Sequence, residues 1–271
     1  MTFGYCINML APSGSDGTGR ELLPMIGGLG FDYVELPMAQ MMAYDEASFE
    51  QLFVRPLREA GLPCHCCNNF FPGSIRLTGP EADHAAAVAY AERAMARAEA
   101  LGAHKIVFGS SGARNYPLGY AREDAMAQMR ELLCRLEPLA ARHGITLVME
   151  HLNRLESNLL NSLSEGVALV RELQLPHVRN LLDNYHLMIG NGSLNEIREA
   201  GSNLRHVHLA RVLGRSLPCP GDETDWPGLW AALHDVGYDG DCSIEAYAPQ
   251  EHRAEHLAEA LSYMRRMAAQ R

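Results

Sequence analysis

Four residues carry the chemistry this sequence offers: Glu150, Asp183, His208 and Glu245. Each stands at or near the carboxyl end of an apolar, strand-like run. Ile145–Met149 leads into Glu150 and Val178–Leu182 into Asp183. Leu204–Ala210 carries His206 and His208 on one face, and Cys242–Ala246 carries Glu245. A carboxylate at the end of a buried strand is costly unless something cationic meets it. Three carboxylates brought to one mouth repel each other strongly unless a cation sits among them. Three hard oxygens plus one imidazole suit Mn²⁺, Mg²⁺ or Co²⁺ better than a thiolate-seeking metal. Singly, each residue has an ordinary alternative role: a helix cap, an arginine partner or a satisfied core histidine. Recurrence at the same level of four consecutive strands is what points to a shared divalent ion.

A shared ion needs a scaffold that aligns strand ends. Eight apolar runs alternate with eight helix-like ones. The remaining strands are expected at Phe3–Met9, Tyr33–Leu36, Leu62–Asn69 and His104–Phe108. The helices are expected at Thr18–Leu29, Glu46–Ala60, Glu81–Leu101, Ala121–His143, Ser164–Leu173, Ser193–Ala200, Trp226–Val236 and Glu251–Ala269, with Ser164 as a cap. Gly61, Gly102 and Gly144 are natural stops. Strands recur roughly every 30 residues, the length of one βα unit. With no linker or break in composition, residues 1–271 are expected to form a single-domain (β/α)₈ TIM barrel. A doubly wound open sheet is the alternative and usually has fewer strands. Catalytic groups of a barrel sit at the carboxyl ends of its strands, where the four residues fall.

The composition narrows the function further. Net charge is −10 with no basic run, which argues against nucleic acid as a partner. No twenty-residue apolar span is present, so no membrane helix is expected, and MTFGYCINMLAPSGSDG reads as a first strand rather than a signal peptide. Seven cysteines, an odd number in apolar context, fit a reducing cytoplasm better than a disulfide framework. Cys64-His65-Cys66-Cys67 lacks the second ligand pair of a zinc site and is expected to be buried strand. There is no G-x-G-x-x-G after the first strand and no Walker A sequence. Lys105, the only lysine, lies at the start of its strand, which removes a Schiff-base aldolase. The glycine-rich loop Gly109–Arg114 either cradles a phosphate through backbone N–H groups and Arg114 or only shapes the pocket. Trp226 and Trp230, four apart, are expected on a core face of their helix.

The stretches GSSGARNYPLGY, MEHLNRLESN, LLDNYH, HVHLA and GYDGDCSIEAY resemble the xylose isomerase-like TIM barrels, above all the ketose 3-epimerases of the tagatose and psicose type. The resemblance covers essentially the whole chain. It implies that Glu150, Asp183, His208 and Glu245 hold the metal, most often Mn²⁺, and that Glu156, His186 and Arg215 contact a sugar. The loop HLARVLGRSLPCPGD departs from the epimerase pattern, and Arg211 is a rival to Arg215. Barrels of this kind commonly assemble as homodimers or homotetramers, a point the sequence does not decide.

The chemistry implied is proton transfer α to a carbonyl through an enediolate, with Glu150 and Glu245 as the two bases of a C3 epimerisation. Returning the proton to the neighbouring carbon gives an aldose–ketose or hydroxypyruvate-type isomerase instead. A related metal site also serves inosose dehydratases. AP endonucleases need extra histidines that Asn68-Asn69 and Gly109-Ser110 do not supply at strands three and four. A sugar-binding barrel without catalysis is the non-enzymatic reading.

Overall fold

A computed structural model describes residues 1–270. Eight parallel strands pair in chain order and close on themselves. They are β1 (Thr2–Cys6), β2 (Tyr33–Pro37), β3 (Cys64–Asn68), β4 (Lys105–Phe108), β5 (Thr146–Glu150), β6 (Val178–Asp183), β7 (Leu204–Leu209) and β8 (Asp241–Ile244). The last strand pairs back to the first through Thr2–Tyr5 and Asp241–Ile244. The expected closed (β/α)₈ barrel is therefore the observed fold.

Element ends differ where local hydrogen bonding overrides the apolar pattern. The first strand stops at Cys6, because Ile7–Leu10 turns into a 3₁₀ segment. The helix expected from Glu81 begins at His84, where the Asp83 carboxylate accepts from the Ala86 N–H. Ser162, not Ser164, caps Leu163–Leu173 by accepting from the Glu165 N–H at 3.1 Å. Ser164 lies inside the first turn and gives its hydroxyl to Glu199 at 2.9 Å. Glu46–Ala60 is helical throughout but carries a π segment at Glu50–Val54. Gly61, Gly102 and Gly144 all end helices in the left-handed region. No described helix is long and apolar enough to cross a membrane.

The barrel interior is layered, as side-chain alternation along inward-facing strands requires. Its middle layer is divided. Cys66, Val107, Val148 and Leu181, from β3 to β6, form a small apolar cluster. Across from them, Glu35, His206 and Ser243 form a hydrogen-bonded polar arc, with Glu35 Oε2 2.9 Å from His206 Nε2 and 2.6 Å from Ser243 Oγ. A much larger apolar core, including Trp226 and Trp230, fills the space between strands and helices. The bottom layer is ionic: Lys105 pairs with Asp241, which also faces His65 Nδ1 at 3.3 Å and His104 Nε2 at 3.5 Å. The sole lysine is thus occupied at the amino-terminal end of the barrel, far in layer order from the rim. Cys64, Cys66 and Cys67 are buried strand residues, as expected.

Candidate metal and proton-transfer site

Glu150 and Asp183 end β5 and β6, His208 is the penultimate residue of β7, and Glu245 follows β8 directly. All four are buried, and one ligand atom from each lies within 4.8 Å of the other three. His208 Nδ1 is at the centre, 2.9 Å from Glu245 Oε2, 3.3 Å from Glu150 Oε1 and 4.0 Å from Asp183 Oδ2. None of these contacts has hydrogen-bond geometry, so Nδ1 is a buried nitrogen with carboxylate neighbours but no hydrogen bond among the described residues. An imidazole nitrogen turned toward three carboxylates, with no hydrogen bond of its own, suits a cation shared by all four groups. The donor set and this unpartnered atom both fit a divalent metal.

The local folding explains how each group is aimed. Asp183 caps the helix Asn184–Ile189: one carboxylate oxygen accepts from the His186 N–H at 3.0 Å, leaving Oδ2 to face the cluster. Gly109, just past β4, makes room for Glu150. A Cβ at that position would overlap Glu150 Oε2 and lie 3.2 Å from its carboxyl carbon. Gly109→Ala is therefore expected to displace the Glu150 carboxylate with little loss of stability, since the obstructed atoms end a flexible side chain. A displacement of about 1 Å costs on the order of 100-fold in kcat/KM. Steady-state kinetics beside a thermal melt would check this, and a variant with wild-type kcat/KM would contradict it.

Charge is distributed unevenly over the cluster. Burial pushes the Glu150 carboxyl up to about 7, against the opposing pull of His208. Burial also disfavours the Glu245 carboxylate, but Arg215 and His208 outweigh it and hold that group well below the ordinary range. Two neighbouring carboxyls whose proton affinities are pushed apart are suited to giving and taking a proton in turn.

Arg215 is the arginine that reaches the site. Its Nη2 is 2.9 Å from Asp183 Oδ2 and also pairs with Glu245 Oε2, and its guanidinium lies over the Tyr185 ring at 4.9 Å. Gly214 and Arg215 both take positive φ, which turns the loop inward, and the Arg215 carbonyl accepts from the Tyr247 N–H at 2.8 Å. Arg211 instead pairs with Glu223 at 2.8 Å, away from the cluster.

His186 is buried beside the cluster, with Nε2 3.7 Å from Asp183 Oδ2. Burial, with Arg215 adding to it, lowers its pKa to about 3, so the ring is neutral. Its tautomer follows from Asn153. The Asn153 Oδ1 accepts from the Leu155 N–H at 2.9 Å, which fixes the amide orientation, and its Nδ2 donates to His186 Nδ1 at 2.8 Å. His186 Nε2 therefore carries the hydrogen and is a donor toward the mouth. Asn153 Nδ2 also meets Glu156 Oε1 at 3.1 Å, and Glu156 sits at the more open edge of the site.

All seven residues expected from the sequence thus gather at the carboxyl end of β5–β8. Of the phosphate-cradle alternative for Gly109–Arg114, the part that needs the Arg114 guanidinium does not hold. Arg114 is fully buried, donating Nη1 to the Glu150 carbonyl at 2.7 Å and the Phe108 carbonyl at 3.2 Å, so it ties β4 to β5. Sequence reasoning missed Gly109, Asn153 and Glu35. The last was detectable, since a lone carboxylate in the fully buried strand Tyr33–Pro37 raises the same question as Glu150.

Comparison with known proteins agrees with this architecture. A model described as the xylose isomerase-like TIM barrel matches residues 27–267. The chain is similar to a D-psicose 3-epimerase of Agrobacterium fabrum, 28% identical over 229 residues, 82% of this chain and 77% of that protein. It is also similar to a putative hydroxypyruvate isomerase of Homo sapiens, 28% identical over 249 residues, 88% of this chain and 86% of that protein. Among solved structures, a D-psicose 3-epimerase in the presence of D-fructose superposes with a TM-score of 0.86, covering 99% of both chains at 22% identity.

Proposed function

The chain belongs to the xylose isomerase-like TIM barrel family, and from that premise we propose that it is a divalent-metal-dependent enzyme of the isomerase class that epimerises a ketose at C3. The observation that carries this reading is His208 Nδ1, which has no hydrogen bond of its own and faces Glu150, Asp183 and Glu245. The likeness to proteins named ketose 3-epimerases supports the substrate class. Mn²⁺ is the favoured ion, with Mg²⁺ and Co²⁺ as alternatives on the same donor set.

Glu150, Asp183, His208 and Glu245 would hold the ion, which supplies Lewis-acid stabilisation of the negative charge that develops on the ketose oxygens. Glu150 and Glu245 then act on C3: one takes the proton and the other delivers a proton to the opposite face. His186 donates its Nε2–H to a substrate oxygen and Arg215 donates through its guanidinium, both toward developing oxyanion charge. Glu156 accepts a hydrogen bond from a hydroxyl at the far end of the sugar. The mouth of the barrel is where the sugar enters.

Incubation with Mn²⁺ and a panel of ketopentoses and ketohexoses, with products separated by chromatography, tests the reading. A C3 epimer is the expected product, and a panel without any conversion would contradict it. The likeness to a putative hydroxypyruvate isomerase keeps one second reading, in which the same proton returns to the neighbouring carbon. Conversion of hydroxypyruvate in preference to every ketose would favour that reading.

A further inference from the structure

The polar arc inside the barrel contains a carboxylate that the proton chemistry above does not use. Glu35 is wholly buried in the middle of β2, a strand that contributes no group to the metal cluster. Its Oε1 lies 3.1 Å from His208 Nε2 and its Oε2 lies 3.3 Å from the same nitrogen. The other side of the carboxylate is held by His206 Nε2 at 2.9 Å and by the Ser243 hydroxyl at 2.6 Å, and that hydroxyl oxygen is in turn 2.8 Å from Tyr33 OH. The carboxylate is therefore held on both sides and closed off from bulk solvent.

We propose that Glu35 is the positioning residue of the metal centre: it accepts the Nε2–H of His208, fixes that tautomer, and turns the Nδ1 lone pair toward Glu150, Asp183 and Glu245. The inference rests on the metal-dependent reading and deepens it. A neutral ring that gives Nε2–H to a carboxylate, as a metal-ligating histidine must be, keeps Nδ1 free of hydrogen, more basic and fixed in direction, which is what ligation needs. Among the described residues, the other hydrogen-bonding side chain at Nε2 is Cys6, whose Sγ is 3.9 Å away and is a weak acceptor. His206, by contrast, is no member of the Glu150, Asp183, His208 and Glu245 cluster: it groups with Glu35 and Cys66, and its Nδ1 has no hydrogen-bond partner among the described residues. The buried acid of β2 is thereby explained by a residue five strands away in chain order.

Mn²⁺ titration of the whole protein, read by loss of the free-ion EPR signal, tests this on wild type, Glu35→Gln, Ser243→Ala and Val107→Ala. Glu35→Gln keeps the volume and is expected to raise the dissociation constant about 10–100-fold, the usual cost of losing an outer-shell partner. Ser243→Ala, which frees one side of the carboxylate, raises it less. Val107→Ala belongs to the apolar half of the same layer; it should lower the melting temperature yet keep wild-type affinity and the wild-type visible spectrum of the Co²⁺-loaded protein. That spectrum should change in Glu35→Gln. A folded Glu35→Gln protein with wild-type affinity, or an equal loss in Val107→Ala, overturns the proposal. If Glu35→Gln does not fold, Ser243→Ala decides: weakened Mn²⁺ binding supports the proposal and unchanged binding refutes it. Absence of stoichiometric Mn²⁺ binding by the wild type is a different failure, that of the metal reading itself.

Discussion

Glu245→Gln is expected to reduce kcat/KM on a ketose by about 10³–10⁴-fold, the upper part of the range for loss of a general acid–base group. Glutamine keeps the shape and one acceptor oxygen. It removes the negative charge that meets Arg215, sits 2.9 Å from His208 Nδ1, and would carry the proton. Glu150→Gln should fall in the same range for a related reason. The amide that would replace the Glu150 carboxylate cannot take a proton at all. In both variants the loss should appear mainly in kcat, because the sugar contacts proposed for His186, Glu156 and Arg215 remain. A variant of either residue that retains more than a tenth of wild-type kcat would remove it from the proton-transfer step.

Removal of the metal should have the other large effect. Without a divalent ion, three buried carboxylates share His208 and Arg215 as their cationic partners. Chelation is therefore expected to stop turnover and to destabilise the fold together. At a Mn²⁺ concentration 100 times its dissociation constant, mass action contributes about 2.7 kcal/mol. For a chain of this length that corresponds to a rise in Tm of roughly 5–10 °C. Asp183→Asn should abolish most of the rise, since Asp183 presents one oxygen to the cluster while the other caps a helix. Differential scanning calorimetry with and without Mn²⁺ reads both. An identical melting curve in each would contradict the metal site.

The barrel was legible because the strands are short, mostly apolar runs of four to six residues flanked by polar ones, and because a charge at the end of such a run needs an explanation. The same reasoning found Glu150, Asp183, His208 and Glu245, whose alignment follows once the strands are parallel and in register. What stayed hidden depends on partners distant in sequence or on backbone angles. Glu35 meets His206 and His208 across 171 and 173 residues, and no spacing rule connects them. Arg215 differs from Arg211 only in a loop with no periodicity, where a positive φ at Gly214 sends one inward and leaves the other on Glu223. Ser162 and Ser164 are equivalent as residue types; the extended backbone at Ser162 makes it the cap. Asn153 was visible only as a polar neighbour of Glu150, because its role depends on which way its amide is turned.

The most direct test of the central claim is solvent proton exchange at C3. Ketopentoses and ketohexoses are incubated with the Mn²⁺-saturated protein in deuterated water, with Glu245→Gln and a chelated sample as controls, and the C3 position is followed by NMR. Deuterium is expected at C3 of both substrate and epimer, with exchange lost in the two controls. Absence of exchange at any α-carbon of any ketose under metal saturation, or exchange that persists in Glu245→Gln and after chelation, would contradict the claim.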